Sequence, residues 1–223
     1  TAQEAFDKAA KLYTRALQVA PDDAELMDNL ANLHRLAENW SELVEILESR
    51  ANLLEPEEAI GSLLEATHIA ATNMEAPARA LALCRLVLER DEANLDALAY
   101  MVDILKEQGK VQEQLVAQER LAEHLSGEEQ VRALFELKEL ALSSGDTEGA
   151  VAYVQRILAA DPDNEEAQAA QLTLLRDGEN LYSLVAKLEE QANATDDVVR
   201  KVELLFEVAN TLAEEIGDPG AAI

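Results

Sequence analysis

Aromatic residues make up only 4% of this chain, and glycine and proline occur 8 and 5 times among 223 residues. That shortage of chain breakers and of β-favouring aromatics excludes a strand-rich or turn-rich fold. Cysteine occurs once, as Cys84, so an internal disulfide is excluded. With His34, His68 and His124 scattered along the chain, no metal cluster can be assembled, and none is expected. Positive charge is also scarce: 18 Lys and Arg stand against 45 Asp and Glu, for a net −27. Nucleic acid is thereby excluded as a partner, because phosphate binding rests on Lys and Arg releasing counterions. No uncharged apolar run approaches the roughly 20 residues of a membrane helix, so no membrane insertion is expected. The N-terminus lacks the basic-then-apolar pattern of a signal peptide. A reducing, cytoplasmic compartment is expected; the cell envelope stays open, because the chain reads as beginning and ending inside repeats.

What is abundant is Ala, Leu and Glu, in a repeating order. The segment 39–52, NWSELVEILESRAN, returns at 180–193 as NLYSLVAKLEEQAN, 141 residues later. Seven of the fourteen positions are identical. Three further segments share one helix ending: ALQVAPDD (16–23), VLERDEAN (87–94) and ILAADPDN (157–164), spaced by 71 and 70 residues. Proline cannot continue a helix and Asp or Asn caps the next one, so each marks the loop between two hairpins.

Aligning on these loops gives columns: Ala9, Ala80 and Ala150; Tyr13, Cys84 and Val154; Ala16, Val87 and Ile157. Steps of four and then three residues place them on one helix face, with small residues where a neighbour approaches closely. A second kind of hairpin supplies Trp40, Val111 and Leu181, then Ala51, Ala122 and Ala192, at the same 71 and 70 spacing. The period is therefore a doublet of two hairpins. Stacked units that bury their faces only on their neighbours make a solenoid.

In these columns the chain resembles the tetratricopeptide repeat (TPR). Leu134 and Leu137 match the family's first large residues, Ala150 and Val154 its Ala and Phe positions, Ile157 the next core position and Pro162 the terminal proline. Ala31, Val102 and Lys138 replace its small glycine. The alternating doublet is also similar in style to long, acidic, TPR-like proteins of bacteria. The resemblance implies an all-α fold, a superhelical α-α solenoid of antiparallel helix hairpins.

About twelve helices are expected, at 2–19, 24–37, 40–54, 57–73, 77–90, 95–108, 111–125, 128–143, 147–160, 165–177, 180–194 and 197–216. Gly109 and Gly145 read as left-handed caps, and Asp218 with Pro219 as the opening of a further helix. The expected organisation is one continuous array over 1–223, starting with the second helix of one repeat and ending inside another.

No catalytic constellation emerges. The histidines lie in different hairpins without a ligand spacing, and Cys84 stands in a core column. Gly145 and Gly149 lack the preceding strand and following Lys of a phosphate loop. Glu57, Glu58, Glu128, Glu129, Glu165 and Glu166 sit at helix starts, where the macrodipole favours carboxylates. The chain reads as a non-enzyme without cofactor.

In the TPR family the first helix of each hairpin lines the concave surface and meets a peptide or partner helix. Carried over by position, one inward column reads Asp28, Leu64, Ala99, Phe135, Ala169 and Phe206, and another Arg35, Ala71, Lys106, Leu142, Arg176 and Ala213. The expected partner-binding residues are Arg35, Leu64, Lys106, Phe135, Arg176 and Phe206. Two plainer roles stay open: last-turn basic residues complement the helix dipole, and Leu64, Phe135 and Phe206 can pack against the adjacent first helix. The function implied is a protein–protein interaction scaffold holding a peptide or protein along that face. The alternatives are a structural array that self-associates end to end and a regulatory repeat region of a larger protein.

Overall fold

The computed structural model describes residues 2–178 and 180–217. Among the described residues every regular element is a helix, and twelve are α-helices. They are α1 (Ala2–Val19), α2 (Ala24–Leu36), α3 (Trp40–Ala51), α4 (Pro56–Thr72), α5 (Pro77–Leu88), α6 (Leu95–Glu107), α7 (Val111–His124), α8 (Gly127–Ser143), α9 (Thr147–Ala160), α10 (Glu165–Asp177), α11 (Leu181–Ala194) and α12 (Val198–Asn210). A π-helical turn, Thr211–Ile216, continues α12. Within each unit successive helices pack as antiparallel hairpins, as expected. The turn expected at Asp218 and Pro219 lies outside the described residues.

The shared loop does what its residues predict. Asp23, Asn94 and Asn164 occupy one column, and each accepts a backbone N–H three residues on, from Leu26, Ala97 and Ala167, at 3.0 Å. A cap of this kind contributes about 1 kcal/mol. Pro56 and Pro77 sit in the first turns of α4 and α5, where a missing N–H costs nothing. Gly109 and Gly145 end α6 and α8 in the left-handed conformation, at φ 66° and 81°. Glu38, in the column of Gly109, adopts φ 55° despite its side chain, a conformation that costs a non-glycine residue about 1–2 kcal/mol. Helix α3 stops at Ala51, earlier than the expected Leu54, because the chain must turn before Pro56 starts the next helix.

The chain divides into two compact units, residues 1–125 and 126–223. The first holds α1–α7, with a core around Leu43, Leu63, Leu83, Leu98 and Leu105, all buried. Its alanine columns lie between close helices: Ala51, Ala66 and Ala80 are buried to 2% exposure or less. The second unit holds α8–α12, with Leu134, Leu137, Ile157, Leu184 and Leu188 buried. At about 1.5–3 kcal/mol per buried large apolar side chain, these residues dominate each unit's stability.

Two core columns are not uniform. Leu43 and Leu47 of α3 correspond to Leu184 and Leu188 of α11, but α7 carries Gln114 and Gln118 in the same two columns. The unit boundary follows directly after α7.

Candidate functional site: the first-helix face

The first helices of the hairpins are α2, α4 and α6 in one unit and α8, α10 and α12 in the other. Their last turns carry Arg35, Lys106 and Arg176. Arg35 pairs across to Glu65 on α4 and also donates to Asn32 Oδ1 at 2.6 Å. Arg176 pairs with Glu207 on α12 at 2.8 Å and lies 3.8 Å from Glu215. These two arginines thus tie neighbouring first helices together, each compensated on the face it occupies. Lys106 is exposed and has no ion-pair partner among the described residues of its unit. The acidic partners Glu65 and Glu207 share a column with Glu136, at intervals of 71 residues.

Other polar rungs run between adjacent helices of the first unit. Arg50 Nε lies 2.7 Å from Asp28 Oδ1, and its Nη1 donates to Ser62 Oγ at 2.8 Å. His68 Nδ1 lies 3.1 Å from the Tyr100 hydroxyl, with the rings edge to face. Burial, with the nearby Asp96 charge adding to it, raises the Tyr100 pKa. Of the other histidines, His34 is buried beside Asn39, and His124 is exposed at the end of α7. Cys84 is buried, and among the described residues no His, Cys, Asp and Glu cluster could hold a metal ion.

The apolar column grades from covered to open. Leu64 packs half-buried on the first unit's core. Phe135 is half-buried, with Lys138 Nζ 5.4 Å from its ring centroid, a cation–π arrangement. Phe206 is 67% exposed. It belongs to a stripe on α12 in which Val198, Val202 and Leu205 follow at steps of four and three, beside Val199, all exposed. Leu205 is 46% exposed, whereas Leu134 and Leu63 in its column are at 2% and 1%. Leu205 thus stands at a position that the core uses in α4 and α8, and on α12 it is exposed. Leu142, in the last-turn column of α8, is also exposed.

Comparison with solved structures finds several similar chains. The chain is similar to YrrB, described as a TPR protein with an unusual peptide-binding site, at 16% identity and TM-score 0.44, over 95% of this chain and 98% of that one. It is similar to the C-terminal part of a TPR repeat-containing protein from Cytophaga hutchinsonii at 10% identity and TM-score 0.47, covering 97% of this chain and 87% of that one. A third likeness, to PilF of Pseudomonas aeruginosa, has 16% identity and TM-score 0.41 over 98% and 89% of the two chains. No protein-family model and no curated protein sequence matches the chain. Among the described residues no helix is long and apolar enough to cross a membrane.

Proposed function

We propose that this protein is an interaction scaffold that holds a partner protein or peptide on the exposed face of its first helices. The observation that carries this reading is the aromatic and aliphatic surface on α12 around Phe206, with the half-buried Phe135 in the same unit and Leu64 at the corresponding position of the first unit. Contiguous exposed apolar surface of this kind marks interaction sites in soluble proteins. The pairs Arg35–Glu65 and Arg176–Glu207 serve as positioning devices that fix the spacing of neighbouring first helices, while Lys106 offers a charge to the partner. Several weak contacts in series then gain affinity through effective concentration, without a deep pocket.

The test is a quantitative pull-down with mass spectrometry, using the wild type and the Phe135→Asp plus Phe206→Asp variant, both verified as folded by circular dichroism. Partners lost from the double variant by about tenfold or more are the expected result. An unchanged partner list from a folded variant overturns the proposal.

The α12 stripe favours a second reading, self-association, in which Val198, Val199 and Val202 are covered by another copy. Sedimentation velocity across a hundredfold range of concentration then shows a rising sedimentation coefficient. Val199→Asp plus Val202→Asp abolishes that rise. A wild type that stays monomeric throughout eliminates this second reading and leaves the first untouched.

A further inference from the structure

We propose that the groove over α6, between α5 and α7, is a separate docking site for an acidic protein segment that inserts an apolar side chain. The groove lies wholly within the first unit, and none of its lining residues is among those assigned to the first-helix face. Its cavity measures about 400 Å³. The floor is apolar, formed by Leu81, Leu98, Met101 and Leu105, and the α7 wall presents Val116, a valine 61% exposed to solvent.

The two lips are basic: Arg85 projects from α5 and Arg120 from α7. Arg85 is exposed and has no side-chain ion pair or hydrogen bond among the described residues. Arg120 makes a long contact of 3.4 Å to the Glu92 carbonyl. Two arginines facing one apolar cavity are unusual on a chain with 45 acidic and 18 basic residues. Glu113 also lines the groove, but Lys110 pairs with it at 3.7 Å.

The repeat supplies the control for this surface. A feature that the fold itself required would return in every doublet. The column of Arg85 instead holds Thr14 and Gln155, that of Arg120 holds Ser49 and Glu190, and that of Val116 holds Glu45 and Ala186. Two other cavities overlap this one in three columns, and where it has Arg120 they present Ser49 and Glu190. Helix α5 has no need of Arg85 for its dipole, since α1 and α9 do without a basic residue in the last turn. Among the described residues, arginine at both lip positions together with an apolar residue at the position of Val116 occurs in the middle copy alone.

Guanidinium groups recognise carboxylates through paired, directional hydrogen bonds. An apolar anchor seated in the cavity with a carboxylate on either side therefore meets both lips at once. Charge complementarity is what commits the site to an acidic segment, because the rest of this surface repels one.

The experiment titrates the full chain with a fluorescein-labelled hexapeptide, two leucines flanked on each side by two aspartates. Anisotropy is read at physiological salt, and amide shifts are mapped by NMR. Binding is expected, with shifts concentrated around Arg85, Met101 and Val116. Affinity should fall about tenfold or more in Arg85→Glu plus Arg120→Glu, and similarly when the peptide's leucines become serines. Phe135→Asp plus Phe206→Asp should leave it unchanged, which separates this site from the first-helix face. The inference is overturned by an absence of binding, by equal affinity of the folded charge-reversed variant, by shifts mapping elsewhere, or by full displacement of the peptide by equimolar decanoate, which would mark a fatty-acid pocket.

Discussion

Replacing Leu43 by alanine lowers the stability of the first unit by about 2–5 kcal/mol, the cost of removing a fully buried leucine from a core that relaxes only partly. Leu43 lies in α3 one turn from Trp40, the single tryptophan of the chain, so denaturant unfolding followed by tryptophan fluorescence reports on this unit directly. Gln114, which occupies the same column in α7, gives a much smaller loss on replacement by alanine, within about 1 kcal/mol. The contrast tests the column assignment as well as the packing. A Leu43→Ala midpoint shift worth less than about 1 kcal/mol would mean that α3 does not hold the core as described.

The second large effect is a loss of stability at alkaline pH. Burial pushes the Cys84 thiol from 9.0 up to about 11, against smaller pulls downward from the Thr67 hydroxyl and the Arg85 charge. The folded state therefore binds a proton that the unfolded chain releases near pH 9. Its contribution is fully present below pH 9 and is lost as pH rises through 11, on the order of 2–3 kcal/mol in all. The raised pKa of Tyr100 acts in the same direction. Urea midpoints at pH 8 and pH 10.5 measure the combined drop. Cys84→Val, which installs the residue found at Val154 in the same column, should remove most of it. An equally steep drop in that variant would assign the effect to Tyr100 and other groups. In the same protein the thiol should resist aromatic disulfide reagents at pH 8 until denaturant is added.

Most of the fold was legible because its punctuation is local. Pro56, Pro77, Gly109 and the capping column Asp23, Asn94 and Asn164 each act within one turn of their own position, so reading them in order places nearly every helix. What escaped is set by distant neighbours or by backbone strain. The left-handed Glu38 carries no glycine to announce it, and the π turn at Thr211–Ile216 has no residue that demands it.

At the first-helix face, the columns located Arg35 and Arg176 but not what they touch, since Glu65 and Glu207 lie about one hairpin further along the chain. The signal was present in the 71-residue recurrence of Glu65, Glu136 and Glu207. Phe206 was placed on the correct helix; its exposure depends on what packs against α12, which no local pattern encodes. The groove at Arg85 and Arg120 was missed for a different reason. Searching a repeat for shared columns selects what the copies have in common, whereas this surface consists of what one copy does not share.

The capping column has a consequence for how the gene for such a chain can be edited. Asp23 and Asn94 make the same bond to the helix that follows, so removing residues 24–94 joins Asp23 to Leu95 with a competent cap already in place. A cut of one hairpin, about half that length, would instead bring together two loops of different chemistry and leave the next helix start without its partner. Four helices, not two, are the smallest interchangeable part of this protein.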